Sequence, residues 1–328
     1  MQTRTLGGHC AVCVPALVSA LTAAAGAQDY AGQRLISESA YREKIRGMWL
    51  GECLANWTGL QTEGRELGPT FLTHDAWGQT RPYTFGFVLD YKWYFNPWGA
   101  DDDTDLEYTY QHLMVTQNTL FLTPRQIADG WVLHVNRFIF VSNATARALM
   151  GRGVLPPSTG LSCANGNRLQ IDAQLTTELF GTLAPGNPGR ALELADIPIR
   201  ATSAGYATHA AQFYVVLYSL ATQIPPGSPN KQRWLVQEGR KYIPNGSRAA
   251  EVIDFVLMNY DQPHTEHAWE ATRDAMYQRY HLNPGMNGWV YRNWFESVLN
   301  LGTGVLALLY GEGAVSYTHL TLPTNREV

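Results

Sequence analysis

The sequence predicts an all-α protein, on three observations. No stretch alternates apolar and polar residues for the length of a strand. Apolar residues recur at helical spacing in segments of ordinary helix length. Clusters of Pro and Gly, such as Pro185-Gly186-Asn187-Pro188-Gly189 and Ile224-Pro225-Pro226-Gly227, separate those segments as loops.

The first helix is expected over residues 40–60, where Gly47, Gly51, Ala55 and Gly59 repeat every fourth position beside Ile45, Trp49, Cys53 and Trp57. Small residues on one helical face let another backbone approach closely, so the spacing predicts a central, buried helix. Glu63 continues the spacing past its end and reads from spacing alone as a solvated helix terminus. Between Pro69 and Pro97 the chain is rich in Gly, Thr and aromatic residues and reads as a long irregular segment. Helical patterns follow at Leu106, Tyr110, Leu113 and Met114, from Ile127 to Phe138 after Pro124, and from Ala144 to Met150. A loop from Gly151 to Asn167 contains Pro156-Pro157-Ser158-Thr159-Gly160 and Asn165-Gly166-Asn167, both turn formers. Further helices are expected near Ile171, over Arg190–Ala195, over Tyr206–Gln223, in short pieces up to Ile243, and over Ala249–Tyr260, Thr265–Tyr280 and Asn293–Tyr310.

The chain of 328 residues is 45% apolar, which suits a globular core. Its net charge is −4, and its 24 basic residues form no cluster, which argues against nucleic acid as a partner. Residues 1–27 have the layout of a secretory signal: Arg4, an apolar run from Ala11 to Ala25, and a small-x-small end at Ala25-Gly26-Ala27. The mature protein is therefore expected to start near Gln28 and to be secreted or periplasmic. No later segment is apolar enough to span a bilayer. Cys10 and Cys13 would leave with the signal, while Cys53 and Cys163 read either as one disulfide or as two buried thiols. Residues 314–328 lack amphipathic continuity with the helix before them and read as a non-native tail after a domain of residues 28–313. If that domain lacks its last helices, Leu299, Leu301, Val305, Leu306 and Leu309 should be exposed.

The most informative stretch is Asp101-Asp102-Asp103-Thr104-Asp105-Leu106-Glu107, which concentrates acids directly before an apolar helical run. Adjacent carboxylates repel, and a hard divalent cation with a preference for oxygen ligands relieves that repulsion. Acids at a helix start also satisfy free N–H groups and meet the positive end of the dipole. On the residues alone both readings stand. His264 and His267 lie three apart, but no third ligand is placed to close a site, so they read as exposed polar residues.

Two motifs resemble the ADP-ribosylglycohydrolase family. The family's small-residue helix runs into Gly-Asp-Ala-x-Gly-x-Pro-x-Glu, matched by Ala55-Asn56-Trp57-Thr58-Gly59-Leu60-Gln61-Thr62-Glu63. Its Thr-Asp-Asp-Thr element is matched by Asp101-Asp102-Asp103-Thr104. The resemblance extends from about Tyr41 to Gly313 and implies a compact orthogonal multi-helix bundle of the ADP-ribosylglycohydrolase type. It further implies a pair of Mg²⁺ ions held by Glu63, Asp102 and Asp103, with Asp101 standing where Thr is usual. The chain departs from the pattern at Asn56, which replaces Asp, and at Gln61, which replaces Pro. The family's distal Asp-x-Asp-Thr is expected beyond Gly313, where the unrelated tail begins.

The resemblance thus implies metal-assisted hydrolysis of a glycosidic bond in an ADP-ribosyl or related riboside substrate, small or linked to protein. Asp102, Asp103 and Glu63 are the expected catalytic and metal-binding acids, and Asn165 and Gly166 read either as diphosphate contacts or as a plain structural turn. Two rivals remain open. The 12% aromatic content fits a secreted, metal-independent carbohydrate hydrolase with stacking platforms. Asn56 and the absent distal acids fit an inactive member that binds ADP-ribose without turnover.

Overall fold

The computed structural model describes residues 35–59, 71, 73, 102–136, 139–262, 268–282, 291 and 295–311. The regular structure among them is helical, with no strand beyond an isolated bridge between Gln170 and Glu296. The all-α expectation holds. In chain order the helices are α1 (Glu38–Gly59), α2 (Asp102–Thr116), α3 (Pro124–His134), α4 (Val141–Met150), α5 (Leu179–Thr182) and α6 (Pro188–Thr202). They continue with α7 (Tyr206–Ala221), α8 (Lys231–Arg240), α9 (Arg248–Tyr260), α10 (Ala268–Tyr277) and α11 (Ser297–Tyr310). Short 3-10 turns at Ser158–Gly160 and Asp172–Leu175 lie between α4 and α5, and a π-turn, Gln278–Leu282, extends α10.

Helix α7 is apolar on nearly every side, the mark of a helix buried all round. One face, with Phe213 and Leu217, joins a core built with α8, α9, α10 and α11. The other, with Ala211 and Val215, joins a core that contains α2 to α6. In that first half Tyr110 of α2 meets Phe180 of α5 edge to face at 5.4 Å, and Tyr110, Trp131 and Phe180 are fully buried. Close approach is achieved with glycine: a Cβ on Gly181 of α5 would stand 2.7 Å from Tyr218 Cβ and 3.0 Å from Ser219 N of α7. The contact between these two helices therefore depends on that missing atom.

Several local expectations are corrected. The small-residue face of α1 is not packed along its first half: among the described residues Gly47 and Gly51 are exposed, and a Cβ at either meets nothing within 4 Å. Met48, on another side, is the residue that α1 buries in the first core. Leu299, Leu301, Val305, Leu306 and Leu309 are buried in the second core rather than exposed, because α9 and α10 already cover α11. Cys163 is an exposed free thiol and Cys53 is half-buried on α1, in no bridge with it. Helix α6 is longer than Arg190–Ala195. It begins at Pro188, capped by the Asn187 side chain, and continues through Pro198 because Pro198 and Ile199 are buried. The missing Pro198 N–H costs one intrahelical bond, which burial against neighbours offsets. The helix expected near Ile171 is a 3-10 turn followed by the short α5, α3 stops at His134, and α11 begins at Ser297, while the expected start of α10 at Thr265 lies outside the described residues.

Local capping fixes other starts. Thr123 and Gln126 form a capping box ahead of α3, with Pro124 at its first position, and the Ser247 side chain accepts from Ala250 N at α9. Two starts are capped from a distance instead. Asp172 accepts from Asn143 N in the first turn of α4, and Glu107 of α2 accepts from Leu179 N at α5, each at 2.8 Å. Neither partner is near in sequence, so no local pattern announces them.

Candidate functional site

The acidic stretch supplies the start of α2, whose first residue is Asp102. The first N–H groups of a helix have no intrahelical acceptor, and the aligned peptide dipoles leave positive charge there. Acids are thus favoured at that end of the helix. Asp103 is half-buried, Thr104 is buried and Asp105 is exposed. Glu107, one turn on from Asp103, departs from the others: it is 1% exposed and turned inward to Leu179 N. The structure therefore divides the stretch into a mouth and a buried acid.

Glu63 and Asp101, like His264 and His267, lie outside the described residues. Among the described residues no group of three or more His, Cys, Asp or Glu side chains is arranged to hold a metal ion. In donor chemistry, the carboxylate of Asp103 and the hydroxyl of Thr104 are hard oxygen groups, which fits Mg²⁺ rather than a softer metal.

Asn165 is fully buried, and its side chain is occupied within the fold. Its Nδ2 donates to Ser142 O at 3.2 Å and Ser142 Oγ at 3.1 Å, and its Oδ1 accepts from Asn167 N at 3.0 Å. The loop is thereby pinned to the start of α4. Gly166, the next residue, is exposed, and its backbone is the part of this turn that faces solvent. Thr159 Oγ1 donates to Ala201 O at 2.6 Å, and a Cβ on Gly160 would approach Arg200 O to 2.5 Å, so the Pro-Pro-Ser-Thr-Gly loop seats on the end of α6.

Inside the fold, acids from separate elements act on one another electrostatically: Glu52 of α1, Glu107 of α2 and Glu178 just before α5. Burial raises the Glu107 carboxyl well above the usual carboxylate range, with the neighbouring Glu178 adding to it. Burial, followed by Glu52, pushes Glu178 up to about 8. Tyr218 of α7 is raised by burial and by all three acids. Sequence reasoning passed over Glu52 and Glu178. A signal existed for Glu52, which lies four residues after Met48 and so shares the face that α1 buries.

A protein-family model described as ADP-ribosylglycohydrolase matches residues 37–322, well over half of the chain and every described helix from α1 to α11. The chain belongs to the ADP-ribosylglycohydrolase family. Searches of curated proteins and of solved structures found no match. The family match takes in both motifs, with Glu63 in the first and Asp101, Asp102 and Asp103 in the second, and it reaches into residues 314–328. Membership supports a hydrolase of glycosidic bonds in ADP-ribosyl substrates. No described helix is long and apolar enough to cross a membrane.

Proposed function

We propose that this ADP-ribosylglycohydrolase-family chain is a secreted or periplasmic Mg²⁺-dependent hydrolase that cleaves the glycosidic bond of an ADP-ribosyl or related riboside substrate. The observation that carries the reading is the family match over residues 37–322 with an acidic helix start inside it. Glu63, Asp101, Asp102 and Asp103 would hold the cations, two in a complete site. Bound Mg²⁺ would supply Lewis-acid polarisation and charge to orient ribose hydroxyls and water. The chain's own acids do the rest. Asp102 or Asp103 orients the water and accepts its proton as oxygen attacks the anomeric carbon. The bond to the leaving group breaks, that group takes up a proton, and free ADP-ribose results. The exposed Gly166 backbone is the part of its turn that offers an N–H to a diphosphate.

The test is a double substitution, Asp102→Asn with Asp103→Asn, in the full chain. Mg²⁺ binding followed by calorimetry and ADP-ribose release followed by chromatography should both vanish while the far-ultraviolet circular dichroism stays helical. An unchanged Mg²⁺ titration would sink the metal assignment, and unchanged turnover the catalytic one.

Asn56, where the family motif has Asp, supports a second reading in which ADP-ribose is bound without being cleaved. ADP-ribose would then raise the melting temperature of the wild-type chain with no product formed from any ADP-ribosyl substrate supplied.

A further inference from the structure

Near the far end of α2, His112 stands against His134 in the last turn of α3, and neither residue belongs to the two family motifs or to the proposed reaction. The imidazoles lie with their ring centres 4.9 Å apart and their planes at 77°. His112 is half-buried and His134 is exposed, so ions and water reach the pair. Among the described residues neither side chain makes a hydrogen bond or an ion pair. The carbonyls at the end of α3, which a histidine in the last turn can cap, are taken by Arg147 instead. Its Nε donates to Val135 O at 2.8 Å and its Nη2 to Val132 O at 2.9 Å. Both imidazoles are left with nitrogens that the fold does not use.

The backbones behind the pair are fixed by core packing in which the histidines take no part. Leu113, the residue after His112, lies so close to Gly130 that a Cβ there would stand 2.5 Å from its Cδ1. Tyr110 of α2 meets Trp131 of α3 at 6.1 Å, both fully buried. A ligand shared by the two rings therefore finds them already together, with little further ordering to impose. A neutral imidazole offers one nitrogen lone pair, which suits Zn²⁺, Ni²⁺ or Cu²⁺, whereas Mg²⁺ takes oxygen. Two imidazole nitrogens about 2.0–2.1 Å from one such ion, and about 90–110° apart around it, hold their ring centres roughly 4.5–5.3 Å apart. The observed separation falls inside that interval. We propose that His112 and His134 form a two-imidazole site for a divalent cation of the Zn²⁺, Ni²⁺ and Cu²⁺ class, which staples α2 to α3 while water completes the coordination. With two protein ligands the site is open and exchangeable, unlike a closed structural zinc site with four. His112 is ten residues on from Asp102, about 15 Å along the helix, and the two places select different ions. Neither needs the other.

Calorimetric titration of the full chain with zinc chloride, in an excess of Mg²⁺ that occupies any hard oxygen site, tests the pair. His112→Gln and His134→Gln should each weaken the tightest Zn²⁺ site at least about tenfold, since losing a direct ligand is no milder than losing a supporting group. The double variant should bind about as weakly as either single one, because one substitution already breaks the chelate. Two unconnected histidine sites would instead give losses that add. Cu²⁺ in place of Zn²⁺ counts the ligands: its electron paramagnetic resonance spectrum should show coupling to two imidazole nitrogens in the wild type and to one fewer in each variant. Far-ultraviolet circular dichroism checks that the variants fold. Should His112→Gln fail to, the exposed position in His134→Gln and the wild-type Cu²⁺ spectrum decide between them. A wild type that takes up no Zn²⁺, an affinity that neither substitution changes, or a Cu²⁺ spectrum with a single nitrogen overturns the site. The rings would then do no more than pack edge to face, and any bound metal would be an adventitious ion only.

Discussion

Asn165 and Gly166 are neighbours with opposite duties. The Asn165 side chain is buried and bonds the start of α4 and its own turn, whereas a Cβ at Gly166 meets nothing within 4 Å. Asn165→Ala removes the buried donor to Ser142 O and Ser142 Oγ, whose hydroxyl keeps only its bond to Thr202 O, and removes the acceptor for Asn167 N. The expected cost is about 2–4 kcal/mol in urea unfolding, in the range for a buried polar network broken on one side. Asn165→Asp should cost at least as much near neutral pH, because a carboxylate keeps the acceptor but cannot donate to Ser142 O. Gly166→Ala should stay within about 0.5 kcal/mol of wild type. A cost below about 0.5 kcal/mol for Asn165→Ala would show that the loop is held elsewhere and return its amide to the list of ligand contacts.

At the scale of the element, α1 separates what spacing says from what packing uses. Gly47 and Gly51 are exposed glycines inside a helix and line no contact within 4 Å of a Cβ. Replacing each with Ala removes backbone freedom from the unfolded chain, so each variant should gain about 0.5–1 kcal/mol. Destabilisation in thermal melts would mean instead that this face is covered by other parts of the chain. The all-α class was legible because helical periodicity and Pro/Gly breaks are properties of short windows. The capping box at Thr123 and the caps at Asn187 and Ser247 were within reach for the same reason. The caps of α4 by Asp172 and of α5 by Glu107 were not, since each partner arrives through tertiary packing. Of the candidate site, the acids of the α2 start were legible as a group. That Glu107 turns away from them into the core was not, because charge pattern alone does not tell a helix mouth from its buried face. Glu52 was masked by its setting among glycines, and only the burial of Met48 shows which side of α1 points inward.

For the molecule as a whole, α7 decides whether the two cores are one cooperative unit. Phe213 and Leu217 belong to the core with α8–α11, and Ala211 and Val215, on the same four turns of helix, belong to the core with α2–α6. A helix that frays from one side loses its contacts on the other, so neither core can open fully while its partner stays closed. Gly181 tightens this coupling by letting α5 reach the α7 backbone. Phe213→Leu removes volume from the second core only, at about 1–2 kcal/mol on the scale of core truncations. If α7 is a shared spine, that loss spreads: the slowest-exchanging amides of α3 and of α9 should lose protection by the same factor, roughly 5- to 30-fold, since both then exchange through the same global opening. Hydrogen exchange at one fixed pH measures the two sets in one experiment. A loss confined to α8–α11 would mean that the cores unfold independently and that α7 partitions the molecule instead of joining it.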